Sequence, residues 1–113
     1  MKIMILESDI AEQAMISNML YNCEIFYETN VAKAINSLGI KHIDLALVDA
    51  DFSNVCYDWH ELTSFLKSLN INYSVFSSNG KVGINNGQEI ISIHDIPQAV
   101  WKTDCLEKDE IAN

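Results

Sequence analysis

Acidic residues stand at two places where apolar runs stop. The run LALV at positions 45–48 is followed by Asp49, Ala50 and Asp51, and the run KIMIL at positions 2–6 by Glu7, Ser8 and Asp9. Carboxylates gathered beyond the ends of two buried strands repel one another, so one must take up a proton or a cation must join them. Every donor in such a group is a hard oxygen, which suits a divalent ion such as Mg²⁺. With charge neutralised in that way, an Asp at a strand end can accept a phosphoryl group. Whether these acids meet depends on the elements that carry them.

Those elements alternate. KIMIL reads as a buried strand. From Asp9 the spacing of Ile10, Ala14, Ser17 and Tyr21 predicts a helix on that face, with Ser8 or Asp9 as its N-cap. Positions 23–29 (CEIFYET) suit a second strand, and 31–38 (VAKAINSL) a short helix stopped by Gly39. The stretch 43–48 is the most apolar strand and is expected at the centre of the sheet. Leu62, Phe65, Leu66 and Leu69 mark one face of a helix over 59–69, and 73–76 (YSVF) is a fourth strand.

The stretch 77–88, SSNGKVGINNGQ, breaks the alternation. It holds three Gly and three Asn and shows no helical period, so a loop or a small hairpin around Lys81 to Ile84 is expected in place of a helix. A fifth strand over 89–93 follows. A last helix then begins at Asp95, with Pro97 in its first turn and Gln98 three residues after the cap.

This order of strands and helices predicts an α/β three-layer sandwich with a parallel sheet covered on both faces. In such sheets a site forms beyond the carboxyl ends of the strands, which is where Glu7, Asp49 and Asp51 would gather. One domain over 1–107 with a polar tail at 108–113 accounts for the length of 113 residues. Apolar residues make up 49%, enough for a packed core despite a net charge of −9. That charge, 7 basic against 16 acidic side chains, opposes direct binding to nucleic acid or anionic membrane.

No run reaches the roughly 20 apolar residues of a membrane span. Cys23, Cys56 and Cys105 form no CxxC pair and read as buried reduced thiols, which points to the cytoplasm. Met4, Met15 and Met19 are expected in the core, His42 and His60 toward solvent, and Trp101 in core or interface.

In order and spacing, three short motifs resemble the response-regulator receiver domain, the CheY-like, flavodoxin-like fold of two-component signalling. KIMILESD resembles that family's first strand and acidic pair, IDLALVDADFS its third strand with the phosphoacceptor, and YSVFSS its fourth strand ending in a switch hydroxyl. The resemblance implies a five-stranded parallel sheet in the order 2-1-3-4-5. It places Asp49 as phosphoacceptor and Ser77, or Ser78 with a shift of one, as the switch hydroxyl. It makes Glu7, Asp49 and the backbone carbonyl of Asp51 the ligands of Mg²⁺, with Ser8 and Asp9 as weaker contributors. A histidine kinase or downstream regulator is the implied partner, and pairing of two copies through the last helix is implied as well.

The sequence also departs from that pattern. Ser8 stands where the second acid belongs, no Lys ends the fifth strand, His94 and Ile91 align where the family has its Lys and its aromatic switch, and the fourth helix is missing. These departures favour a pseudo-receiver that works by protein–protein contact or dimerisation, not an enzyme and at most a phosphorelay acceptor. An active phosphoacceptor on Asp49 is the alternative. A nucleotide-binding flavodoxin-like enzyme is disfavoured, because ESDIAEQ after the first strand contains no glycine to cradle a phosphate.

Overall fold

A computed structural model describes residues 1–51 and 59–112, with side chains described as far as residue 105. Ser53, Asn54 and Cys56 lie outside the described residues. The chain runs β1 (Lys2–Leu6), α1 (Ile10–Met19), β2 (Glu24–Glu28), α2 (Val31–Ile40), β3 (Leu45–Asp49), α3 (Trp59–Ser68), β4 (Asn72–Ser77), β5 (Gly83–Asn85) and β6 (Gln88–Ser92). A 3₁₀ turn (Ile93–Asp95) then leads into α4 (Ile96–Ala112), which continues through positions 108–112. Among the described residues no helix is long and apolar enough to cross a membrane.

The sheet order is β2-β1-β3-β4-β6-β5. Its first five members are parallel and keep the expected 2-1-3-4-5 order, with β6 as the fifth. The sixth strand, β5, is antiparallel to β6 and extends the sheet where a helix would normally cross over. The hairpin expected around Lys81 to Ile84 therefore lies slightly later. Asn86 (φ 50°) and Gly87 (φ 80°) form its two-residue turn, the left-handed pair that a tight hairpin requires.

Side chains alternate across the central strands and divide the core in two. Met4, Leu6, Ala46, Val48 and Val75 meet Val31, Ala34 and Leu38 of α2 and Trp59, Leu62 and Leu66 of α3. Ile3, Ile5, Leu45, Leu47 and Phe76 meet Ile16 and Leu20 from α1 and its end, Ile93 of the 3₁₀ turn, and Ile96 and Val100 of α4. Residues one apart point to opposite faces, so a strand with no polar position is one covered on both sides. All five residues of β3 are buried.

The helices correct several expectations. In α1 the buried positions are Ile16 and, just past its end, Leu20, while Ile10 is 81% and Tyr21 87% exposed. The cause is polar. Gln13 Nε2 donates to the Glu7 carbonyl (2.7 Å) and the Gln13 carbonyl accepts from the Tyr27 hydroxyl (2.7 Å), which turns the Gln13–Ile16–Leu20 face inward. Met15 is consequently exposed.

Helix α2 passes through Gly39 and ends at Ile40, with Asn30 as its N-cap. Ser92 caps the 3₁₀ turn that precedes α4, its Oγ accepting from the His94 N–H at 3.2 Å, and α4 itself begins at Ile96, directly after Asp95. Cys23 and Cys105 are half-buried free thiols. His42 reaches Asp44 Oδ1 at 3.0 Å, and His60 stacks on Trp59.

Candidate functional site

The parallel register sets the first two acids. Leu6 of β1 pairs with Val48 of β3, so Glu7 and Asp49 leave adjacent strands at the same rim. The Glu7 N–H extends the ladder to the Glu28 carbonyl (3.1 Å), and the Ala50 N–H reaches the Phe76 carbonyl (2.8 Å), which fixes the chain on both sides of the acids. Both carboxyl groups are buried, Glu7 to 1% and Asp49 to 4% exposure.

A third acid joins them from α1. One carboxylate oxygen each from Glu7, Glu12 and Asp49 lies within 4.8 Å of the others. Glu12 was not among the residues expected at the site. Its signal lies in its place in the first turn of α1, three residues after the N-cap Asp9. Asp9 lies outside that group, and its side chain accepts from the Glu12 N–H (3.0 Å) to cap α1. Ser8 is exposed. Neither expected contributor joins the cluster.

Glu7 Oε1 accepts from the Asp9 N–H at 2.9 Å, while Oε2 is buried and receives no hydrogen bond from any described donor. Its neighbours in the cluster are carboxylates, which can pair with it only through a proton or a bound cation. Burial, followed by hydrogen bonding of the protonated form to Glu12 and Asp49, pushes Glu7 up to about 9. Burial also raises Asp49, and the nearby charges of Asp51 and Glu12 add to the rise. A hydrogen bond from Glu7 and the Asp51 N–H (2.8 Å to Oδ1) oppose it.

Three hard oxygen donors, one of them unpartnered and buried, fit a small divalent cation. The ligand set they provide is Glu7, Glu12 and Asp49.

Asp51, expected at the site through its backbone carbonyl, also places its side chain among donors from the β4 end. Its side chain accepts from Ser77 Oγ (3.0 Å) and the Ser78 N–H (3.1 Å), and Lys81 Nζ lies 3.5 Å away. Ser78 Oγ donates to Glu12, which links the β4 end to the acidic cluster. Ser77 is buried at the end of β4, where it pairs with Ser92 of β6. His94 lies two residues beyond that pair and is exposed, while Ile91 is half-buried. The cation near the site is therefore Lys81, from the segment between β4 and β5, and not His94.

The fold has parallels among solved structures. The N-terminal domain of a response regulator/sensory box/GGDEF 3-domain protein from Carboxydothermus hydrogenoformans superposes with a TM-score of 0.79 at 14% identity, over 98% of this chain and 99% of that one. The chain has the receiver-domain fold. A CheY-like response regulator receiver domain protein from Methanospirillum hungatei gives a TM-score of 0.75 at 17% identity, covering 96% and 97% of the two chains.

The receiver domain of a putative Luxo repressor protein from Vibrio parahaemolyticus gives 0.75 at 12% identity, covering 99% and 96%. No protein-family model matches the sequence, and no curated protein matches it significantly. Against the receiver fold, this chain substitutes a β-hairpin edge for a helix between its fourth and fifth parallel strands.

Proposed function

We propose that this chain is a receiver-type signalling module that acts through contact with protein partners and does not turn over a phosphoryl group on Asp49. The observation that carries the reading is the commitment of Ser77 and Lys81 to Asp51. A phosphoryl group on Asp49 would need donors and a cation aimed at its own oxygens. Among the described residues no cation pairs with Asp49, whose hydrogen bonds come from the Asp51 amide and the protonated Glu7 carboxyl.

Glu7, Glu12 and Asp49 would hold Mg²⁺, which when bound supplies positive charge to the carboxylates. The residues themselves keep a proton on Glu7 in the ion's absence, which lets the rim stay folded with its acids in contact. A second reading is favoured by the placement of Asp49. It ends the central strand beside two further acids, where a nucleophile taking a phosphoryl group from a histidine kinase would stand.

Partners are signalling proteins or a second copy of the chain. Trp101 on α4 is 63% exposed and borders a groove of about 300 Å³ lined by Met19, Leu20, Cys23, Pro97 and Val100. The net charge of −9 argues against nucleic acid as a direct partner.

The test is incubation with acetyl phosphate, or with beryllofluoride, in the presence of Mg²⁺. Intact mass and NMR shifts are followed, with Asp49→Ala as control. No covalent or beryllofluoride adduct is expected. An adduct that disappears in Asp49→Ala overturns the proposal in favour of the active phosphoacceptor.

A further inference from the structure

The carboxylate of Asp51 lies inside a ring of donors that come from another part of the chain. Ser77 Oγ donates to Oδ2 at 3.0 Å, the Ser78 N–H donates to the same oxygen at 3.1 Å, and Lys81 Nζ lies 3.5 Å from Oδ1. Ser77 is held in that role by its own neighbours. Its Oγ accepts from the N–H groups of Asn79 (3.1 Å) and Lys81 (3.3 Å), so its hydrogen is left to point at Asp51. Gly80, with φ of +80°, turns the segment back so that these amides face inward.

A hydroxyl, a backbone amide and an ammonium converging on one carboxylate make the surroundings of a bound oxyanion. The Asp51 side chain is 10% exposed, so it fills the space between them and does not merely approach from solvent. Lys81, at 60% exposure, closes the outer side. Among the described residues, the partners of this carboxylate lie at positions 77–81, 26 or more residues further along the chain. The contact is thus a tertiary tie between the end of β3 and the segment after β4.

We propose that residues 77–81 form a pocket for a carboxylate or phosphoryl oxyanion, and that the chain fills it permanently with Asp51. The side chain is a latch. It holds the 77–81 segment against the β3 end and closes the pocket to anions from solution. The latch deepens the proposed function and rests on it for its meaning: a module held by its own carboxylate presents one surface whether or not a phosphoryl group is offered.

Amide hydrogen exchange across the full chain tests this, with neither beryllofluoride nor acetyl phosphate present. In Asp51→Ala, exchange at the Ser78, Asn79 and Lys81 amides should rise about tenfold or more, the scale set by losing hydrogen bonds to a charged group. Exchange at the β1 and β3 amides should stay slow, which shows that the fold persists. Sodium acetate or inorganic phosphate should restore protection in Asp51→Ala, and sodium chloride at equal ionic strength should not. Adding Lys81→Ala should abolish the rescue. Rescue by acetate alone assigns the pocket to carboxylates, and rescue by phosphate extends it to phosphoryl groups.

Unchanged exchange in Asp51→Ala, or loosening that neither anion reverses, overturns the proposal. Should Asp51→Ala fail to fold, Asp51→Asn keeps the shape and removes the charge. Loosening of the same amides then supports the latch, and unchanged exchange refutes it. Because no phosphoryl donor is used, these outcomes are independent of whether Asp49 forms an adduct.

Discussion

Replacing Glu7 by glutamine should stabilise the protein, and the gain should grow with pH. In the folded chain Glu7 is pushed from 4.5 up to about 9, whereas in the unfolded chain it ionises near the lower value. Between those two values the folded state therefore holds one proton more than the unfolded state. Stability falls as pH rises through that window, by about 1.4 kcal/mol per pH unit. Below 4.5 both states are protonated and the effect vanishes; above about 9 the loss is complete.

At neutral pH the ceiling on this cost is about 3 kcal/mol, a sizeable part of the 5–15 kcal/mol typical of a domain. Glutamine is neutral at every pH and nearly the same shape. Its oxygen can keep the bond from the Asp9 N–H, and its amide can donate to Asp49 and Glu12. Glu7→Gln should thus raise Tm by up to about 10 °C at neutral pH, given a few degrees per kcal/mol for a domain of this size. The gain should shrink toward zero at the acidic end.

Thermal and urea denaturation of both proteins across that pH window, in chelator, provide the assay. Mg²⁺ should narrow the gap by stabilising only the chain that retains all three carboxylates. A difference that does not change with pH, or a variant less stable than the parent in mildly alkaline chelator, would refute a protonated Glu7 in the rim.

Four further substitutions separate the roles of other residues. Glu12→Gln should weaken Mg²⁺ binding, followed by amide shifts or by the Mg²⁺-dependent rise in Tm, by about tenfold or more, the scale seen even for supporting residues of metal sites. Asp9→Ala should cost about 1 kcal/mol in urea denaturation through loss of the α1 cap and leave Mg²⁺ affinity in place; a loss as large as that of Glu12→Gln would return Asp9 to the ligand set. Phe76→Ala, at a fully buried position beside Ile5 and Leu47, should cost about 3–5 kcal/mol, while Ile10→Ser on the exposed face of α1 should stay within about 0.5 kcal/mol.

Much of the architecture was legible along the chain because it rests on local rules. Unbroken apolar runs at positions 3–6 and 45–48 demanded burial on both faces, and only a covered parallel sheet provides that. Strand ends, and with them Glu7 and Asp49, follow from where those runs stop. The missing crossover helix was visible in the Gly- and Asn-rich stretch 77–88, although the hairpin turn falls at Asn86–Gly87, later than the 81–84 expected.

The order of elements, and the rim at which two acids emerge, thus follow from residue types and their spacing along the chain. The sequence could not determine which other side chains reach that rim, because reach depends on how each helix is rotated against the sheet. The Asp9 cap is local and was legible, but tertiary structure alone turned α1 so that Glu12 faces the cluster, through the bond from the Tyr27 hydroxyl to the Gln13 carbonyl. It alone brought Ser77, Ser78 and Lys81 around Asp51. These are contacts between segments far apart in sequence, and their energies are settled by packing and by the competition among buried charges for a few donors. No local pattern encodes that competition.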